Sequence, residues 1–324
     1  MTRRGLGLGA MAGLALDSGA AHAQASGPFP NRPIRMIVPW PAGGATDIQM
    51  RTMCEIASRR LGQPVIVENK TGASGTMGAI TLAGEQRADG YLLSQMGLAV
   101  FRNPLMSQRP IYDPMRDFTW IIHVTGYLAG IAVRADAPWQ NLQELFAHIR
   151  ANPGRVNYGS PGVGSASHVT MEEIAQREHL DWVHIPFRGA PDNIQALLKG
   201  ETQFLVESSA WAPLVEAGQL RLLATFGSER AKRFPNVPTL QQAGVDIVGD
   251  QPYGIAGPRG MDPRIVQILH DALKEALYDP AHVAVLDRYD MPLLYADSEE
   301  YARRARAQYE ADRVMIRALG LRMD

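Results

Sequence analysis

The segment that most constrains the fold is RPIRMIVPWPAGGATDIQMRTMCEIASR, residues 32–59. Its apolar run, residues 34–38, has strand composition, the Pro/Gly turn PWPAGG follows, and Met50, Met53, Cys54, Ala57 and Leu61 then recur at helical spacing. Strand, glycine turn and helix in that order make half of a βαβ unit. The order also has a chemical consequence. The first N–H groups of a helix lack internal partners and sit at the positive end of its dipole. A glycine turn brings that backbone close to a ligand, so a carboxylate or phosphate can be held there without a basic side chain. An ordinary βα turn is the alternative reading of this segment taken alone.

The same order of elements repeats. Residues 65–68 form a second apolar run ending in NKTGASG, a helical segment covers 77–86, and Asp89-Gly90 precedes a third run at 91–94. This short spacing indicates parallel βαβ units, whose right-handed crossovers place the PAGG and TGASG turns at one edge of the sheet. Open parallel sheets bind ligands beyond the carboxyl ends of their strands. Farther on, strands are expected at 118–124 and 128–133, a helix at 142–151, a strand at 157–160 entering the turn SPGVGS, and a helix to Arg177. A strand at 182–186, the turn FRGAP, a helix at 192–199 and strands at 204–206 and 220–226 complete the middle region. Asp262-Pro263 supplies an N-cap with proline at the first helical position, and a last helix is expected at 298–319.

Gly130-Ile131-Ala132-Val133 resembles Gly254-Ile255-Ala256-Gly257, and the two are read as paired crossings between lobes. On that reading residues 26–129 and 254–324 form a discontinuous lobe 1, and residues 130–253 form lobe 2. Two α/β lobes joined by two segments can close as a hinge over a ligand.

The 32 basic and 33 acidic residues nearly cancel, so no broad charged surface points to nucleic acid or anionic lipid as a partner. Selectivity then belongs to a local site. Arg3-Arg4, a glycine-diluted apolar run and Ala21-His22-Ala23 read as a signal peptide over residues 1–25, cleaved near Ala23 or Ala25. The general secretory route is favoured, and the twin-arginine route is compatible with the same residues. Beyond it, no run reaches the ~18 apolar residues of a membrane span. Cys54 is the only cysteine, which excludes an intramolecular disulfide and a cysteine-based metal site, and its place on an apolar stripe makes it a buried small hydrophobe. No cofactor or metal is implied. GLGLGAMA fits G-x-G-x-x-A but lies within the signal with no strand before it, and GVGSAS lacks the G-K-[ST] of a phosphate loop.

RPIRMIVPWPAGGATD, LGQPVIVENKTGASGTMGA, ADGYLL, VNYGSPGVGSASHV, IPFRGAPDNIQALLKG, FPNVPTLQQAG and YGIAGPRGMDP, in that order, resemble the Bug-type, TctC-like extracytoplasmic solute-binding proteins of tripartite tricarboxylate transporters. The resemblance implies an α/β, two-lobed periplasmic-binding-protein fold of the type II, Venus-flytrap kind, monomeric and without catalysis. It implies capture of a small organic carboxylate and its delivery to membrane permease subunits. Carried over residue by residue, the carboxylate-holding positions are Gly43, Gly44, Ser74, Gly75, Ser160, Gly164 and Ser165. Asp47 matches the aspartate after the double glycine and reads as either a ligand contact or a structural cap. Trp40 stands where phenylalanine is common, Glu207 where the strand often ends in aspartate, and Arg188 where lysine is frequent. Arg188 could form a bidentate contact to a second carboxylate, bridge the lobes or face solvent. Trp40 and Phe187 flank the ligand turns, and an aromatic wall there favours a flat or aromatic acid, with a dicarboxylic acid as the other candidate.

His123 and His168 read as structural, because Ser165 lacks a G-x-S-x-G elbow. An exported α/β hydrolase is the rival from another class and would need an activated nucleophile. A ligand sensor for a signalling system is the third reading. Loss of growth on the ligand after deletion, against loss of gene induction, separates it from uptake.

Overall fold

The computed structural model describes residues 28–323, so the expected signal peptide lies outside the described residues. The chain builds two sheets. In the first, β1 (Ile34–Val38), β2 (Val65–Asn69) and β3 (Leu92–Met96) run parallel, and β10 (Gln251–Pro258) lies antiparallel between β3 and β4 (Phe118–Tyr127). A short β11 (Leu293–Ala296) completes the order β11-β4-β10-β3-β1-β2. The second sheet has the order β7-β6-β8-β5-β9, from β5 (Ala129–Arg134), β6 (Asn157–Ser160), β7 (Val183–Pro186), β8 (Phe204–Ser208) and β9 (Leu220–Thr225).

Each sheet has its own core. Ile34, Met36 and Val38 pack with Met50, Met53 and Cys54 of α1 (Ala45–Leu61) and with Leu269 and Leu273 of α8 (Pro263–Tyr278). Cys54 is 1% exposed, and burial pushes its thiol up to about 12, which leaves it unreactive. Gly62 ends α1 in the left-handed conformation, and Asp262 caps α8 by accepting from the Arg264 N–H. In the second core Tyr158 stacks on Phe204 with centroids 5.3 Å apart, and Trp182 meets both edge-on.

The chain leaves the first sheet at Leu128 and returns through residues 226–250. Gly130–Val133 and Gly254–Gly257 are therefore strand segments of different sheets, and the passages lie beside them. Their resemblance reflects a shared small-residue requirement: a Cβ at Gly130 would stand 3.0 Å from the Ala224 carbonyl oxygen, and one at Gly254 2.4 Å from that of Ile122.

Several elements were not foreseen from sequence, among them the strand β11 and helices at Ala99–Met106, Ala212–Glu216 and Pro280–Arg288. The helix α3 (Ala99–Met106) contains Asn103-Pro104, which reads as a breaker, yet eight residues are short enough for one missing N–H donor to be tolerated. Pro280–Arg288 forms a second proline-started helix, α9, directly after α8. A buried ion pair, Arg102 Nε to Asp312 Oδ1 at 2.9 Å, ties α3 to the long last helix α10 (Ser298–Leu319).

Candidate functional site

A cavity of about 70 Å³ lies between the two sheets, lined by residues of both. Four helices bring their N-terminal ends to it. Gly44, Ala45 and Thr46 come from the start of α1, and Leu98 and Ala99 from the start of α3. Ser165, Ala166 and Ser167 open α5 (Ala166–Glu178), and Ala190 and Pro191 open α6 (Ala190–Leu198). Each helix contributes roughly half a positive charge and unpaired N–H groups at that end. Among the described residues no Lys, Arg or His side chain lines the cavity, and the one carboxyl on its wall belongs to Glu207.

The two turns of the first lobe owe their shapes to different residues. Gly43 carries the left-handed backbone of the PAGG turn, with φ of +80°, whereas Gly44 is extended and lines the cavity as the N-cap of α1. Behind the turn, Asp47 Oδ2 accepts from the Gly43 N–H at 2.9 Å and Oδ1 accepts from Asn69 Nδ2 at 2.8 Å, and Asn69 Nδ2 also donates to the Trp40 carbonyl. Arg51 Nε donates to the same carboxylate. Burial alone would raise the Asp47 carboxyl, but the donors from Arg51, Gly43 and Asn69 outweigh it and hold it below its ordinary value. Asp47 does not line the cavity; it fixes the turn that does. In the second turn Ala73 and Ser74 both take left-handed backbone, φ +46° and +53°, in a 3-10 turn over Ala73–Gly75 braced by Thr76 Oγ1 and Asn103 Nδ2 on the Ala73 carbonyl. Such strain in non-glycine residues costs roughly 1 kcal/mol or more each and marks a turn held for a purpose. Ser74 and Gly75 line the cavity.

Opposite, the SPGVGS turn is braced from behind by histidines. Ser160 Oγ accepts from the Gly162 N–H and pairs with His184 Nε2 at 2.7 Å, while His168 Nδ1 accepts from the Gly164 N–H at 3.1 Å. The two rings lie 4.2 Å apart, and burial pushes them down to about 3 for His184 and about 4 for His168, so both are neutral. Ser160 is fully buried and off the cavity wall, so its contact with His184 holds the turn. His123 is likewise buried, with Nδ1 2.6 Å from the Leu294 carbonyl oxygen.

Of the positions expected from sequence, Trp40, Gly44, Ser74, Gly75, Ser165 and Glu207 meet in the cavity wall. Gly43, Asp47 and Ser160 stand behind it. Gly164 touches the other lobe instead: a Cβ there would fall 2.3 Å from Met106 Cε and 2.4 Å from Asn103 Oδ1. Gly162 and Gly189 make the same kind of close approach, to Ser74 and Pro41. Arg188 is exposed on its loop, off the wall and without a hydrogen bond or ion pair among the described residues. Phe187 also lies off the wall and packs over Gly159, so the expected aromatic wall reduces to Trp40 and Tyr127. The Trp40 ring lies flat enough on Gly75 that a Cβ there would be 2.5 Å from its Cζ2.

Sequence reading missed Gln95, Tyr127, Ser167, Ser208 and Gln251. Tyr127 Oη accepts from Thr46 Oγ1 and Gln95 Nε2, both at 3.1 Å, and Gln251 Nε2 donates to Ser167 Oγ across the lobes. Gln95 and Tyr127 lie at or next to the C-terminal ends of β3 and β4, where strand-end polar residues are the signal that could have found them.

Two α/β lobes around a cavity rich in helix N-termini define an extracytoplasmic-type solute-binding protein. The chain belongs to the tripartite tricarboxylate transporter family of receptors, TctC, whose model matches residues 49–321. It is 44% identical over 312 residues to the UPF0065 protein in the gbd 5' region of Cupriavidus necator, covering 96% of this chain and 94% of the relative. The solved periplasmic binding protein BugD superposes with a TM-score of 0.86 at 25% identity, covering 91% of this chain and 100% of BugD. MatC from Rhodopseudomonas palustris, solved with bound malate, gives 0.82 at 25% identity, covering 89% of this chain and 100% of MatC. Family members are periplasmic solute-binding proteins.

Proposed function

We propose that this chain captures a small organic carboxylate between its lobes in the periplasm and delivers it to the membrane permease of a tripartite tricarboxylate-type transporter. The observation that carries this reading is the convergence of four helix N-termini on one cavity that, among the described residues, no basic side chain lines. Such a site binds an anion through backbone N–H groups, whose hydrogen bonds strengthen when the cleft is dry. Gly44, Ser74, Gly75 and Ser165 hold the carboxylate, and Trp40 closes one wall. The cavity has room for roughly five waters, which favours a compact acid over a large aromatic one. Malate bound to MatC supports the same class. Lobe 1 comprises the first sheet and lobe 2 the second, with closure pressing the glycine turns of lobe 2 onto lobe 1.

A thermal-shift screen of the mature protein, freed of copurified ligand, against aliphatic and aromatic mono- and dicarboxylates tests the reading. A ligand at about 100 times its Kd adds about 2.7 kcal/mol of stability. Absence of a shift with every acid contradicts it.

A further inference from the structure

One titratable side chain touches both a turn of the cavity and the boundary between the lobes. His168 Nδ1 accepts from the Gly164 N–H at 3.1 Å, so the proton of the neutral ring sits on Nε2, which lies 3.8 Å from Glu172 Oε1. Ser165, on the cavity wall, is tied to the same residue, because its Oγ accepts from the His168 backbone N–H at 3.2 Å. The cover over this corner comes from the first lobe. Gly164 abuts Asn103 and Met106 of α3, and Val169, beside His168, shares a small buried cluster with Met106 and with Ile316 of α10.

We propose that His168 is a positioning residue that links ligand affinity to pH: a proton on its Nδ1 removes the acceptor of the Gly164 N–H, loosens the turn that carries Ser165 and favours the open lobes, so that acid releases the bound carboxylate. This inference rests on the carboxylate reading and the closure proposed above. The chemistry of the ring makes Nδ1 the sensitive atom. A neutral imidazole has one acceptor nitrogen and an imidazolium has none, so a protonated ring sets a donor against the Gly164 N–H. Glu172 stands 3.8 Å from Nε2 and receives the charged ring instead. His184 lacks this sensitivity, because an N–H on its Nε2 still meets Ser160 Oγ, 2.7 Å away.

The groups facing the ring set the sign of the effect. On its own helix is Glu172, which accepts from the Tyr158 hydroxyl of β6 at 3.3 Å. The His184 ring of β7 lies 4.2 Å away. Across the lobe boundary is the Arg102 guanidinium of α3, paired with Asp312 of α10. Burial, and after it the Arg102 cation, push His168 down to about 4 with the lobes together. Separation of the lobes removes Arg102 and the cover of α3, and the ring returns toward its ordinary value near 6.5. The closed form thus excludes a proton that the open form takes up. Affinity is fully present above about pH 6.5 and falls as the pH drops toward 4. An open form with its ring at about 6.5 is roughly nine-tenths protonated at pH 5.5, so Kd rises by up to about tenfold from pH 7.5 to 5.5.

The experiment is calorimetry on the mature chain at pH 7.5 and 5.5, each in two buffers of different ionisation heat, with the sodium salts of the acids of the thermal-shift screen as probes, succinate and benzoate first. His168→Asn places an amide oxygen, which does not titrate, where Nδ1 stands, and comparison with it on the same acid removes the acid's own ionisation. The proposal expects the rise in Kd between the two pH values to be roughly 3- to 10-fold larger in the wild type than in His168→Asn, with about one more proton released per acid bound at pH 5.5. His184→Gln keeps the effect. An equal pH dependence in the wild type and His168→Asn, or its loss in His184→Gln alone, overturns the proposal and leaves the carboxylate reading standing. Binding of no acid at pH 7.5 overturns both. Should His168→Asn not fold, histidine NMR on the wild type decides: His168 titrates below about pH 5 with the acid bound and near 6.5 without it, and one value in both states overturns the proposal.

Discussion

The proposed closure of the cleft packs Gly162 against Ser74, and Gly162→Ala tests that contact. A Cβ added at Gly162 would lie 2.6 Å from Ser74 Oγ, 3.3 Å from Ser74 Cβ and 3.5 Å from Ser74 Cα. Ser74 lies with the first sheet and Gly162 with the second, so on the proposed closure this clash arises as the lobes meet. The residue also has φ of +122°, and the resulting strain, roughly 1 kcal/mol, burdens open and closed forms alike and cancels from the binding energy. Overpacking of a tight contact costs about 1–3 kcal/mol. At 1.4 kcal/mol per factor of ten, Kd for an acid from the carboxylate screen rises roughly 5- to 140-fold by calorimetry. Gly218→Ala is the control, since Gly218 has φ of +68° with open space around its Cβ position. The reasoning is refuted by unchanged affinity in Gly162→Ala, or by an equal loss in Gly218→Ala.

Other outcomes follow from the same geometry. Asp312→Ala leaves Arg102 buried without its partner and should cost about 3–5 kcal/mol in urea unfolding, against little for the exposed pair partner Glu310→Ala. The neutral pair His168 and His184 is held in the fold below its ordinary value near 6.5, so the unfolded chain takes up protons first as pH falls. Their contribution is fully present above about 6.5 and is lost toward pH 4, by at most about 1.4 kcal/mol per pH unit for each ring. Urea midpoints at pH 7, 6 and 5 should show this decline, and His184→Gln should flatten it. Arg188→Ala should leave the affinities for mono- and dicarboxylates unchanged, because Arg188 is exposed and off the cavity wall; a selective loss with dicarboxylates would place it on the ligand.

The strand–turn–helix order was legible because apolar periodicity and glycine punctuation are local signals, and β1, α1, β2 and β3 fall where those signals place them. The same signals found the two glycine turns of the first lobe and the SPGVGS turn. What sequence could not separate was the reason for each residue. Asp47 and Ser160 stand in the chain among the turns expected to hold the ligand but lie off the cavity wall, holding those turns by hydrogen bonds to Gly43 and Gly162. Gly164 looked like a ligand glycine and is a contact surface between lobes. Tyr127 and Gln95 carry no motif, and only the pairing of β10 between β3 and β4 brings them together. Helix α3 hid behind Asn103-Pro104, so the fourth N-terminus of the cavity was not anticipated.

The central claim is that backbone N–H groups at converging helix starts hold the ligand's carboxylate. A crystal structure of the mature protein with an acid from the screen tests it most directly. The account predicts carboxylate oxygens within about 3 Å of N–H groups at the starts of α1 and α5 and in the Ser74–Gly75 turn. A ligand whose carboxylate instead pairs with Arg188, or lies outside the cavity between the sheets, would contradict it.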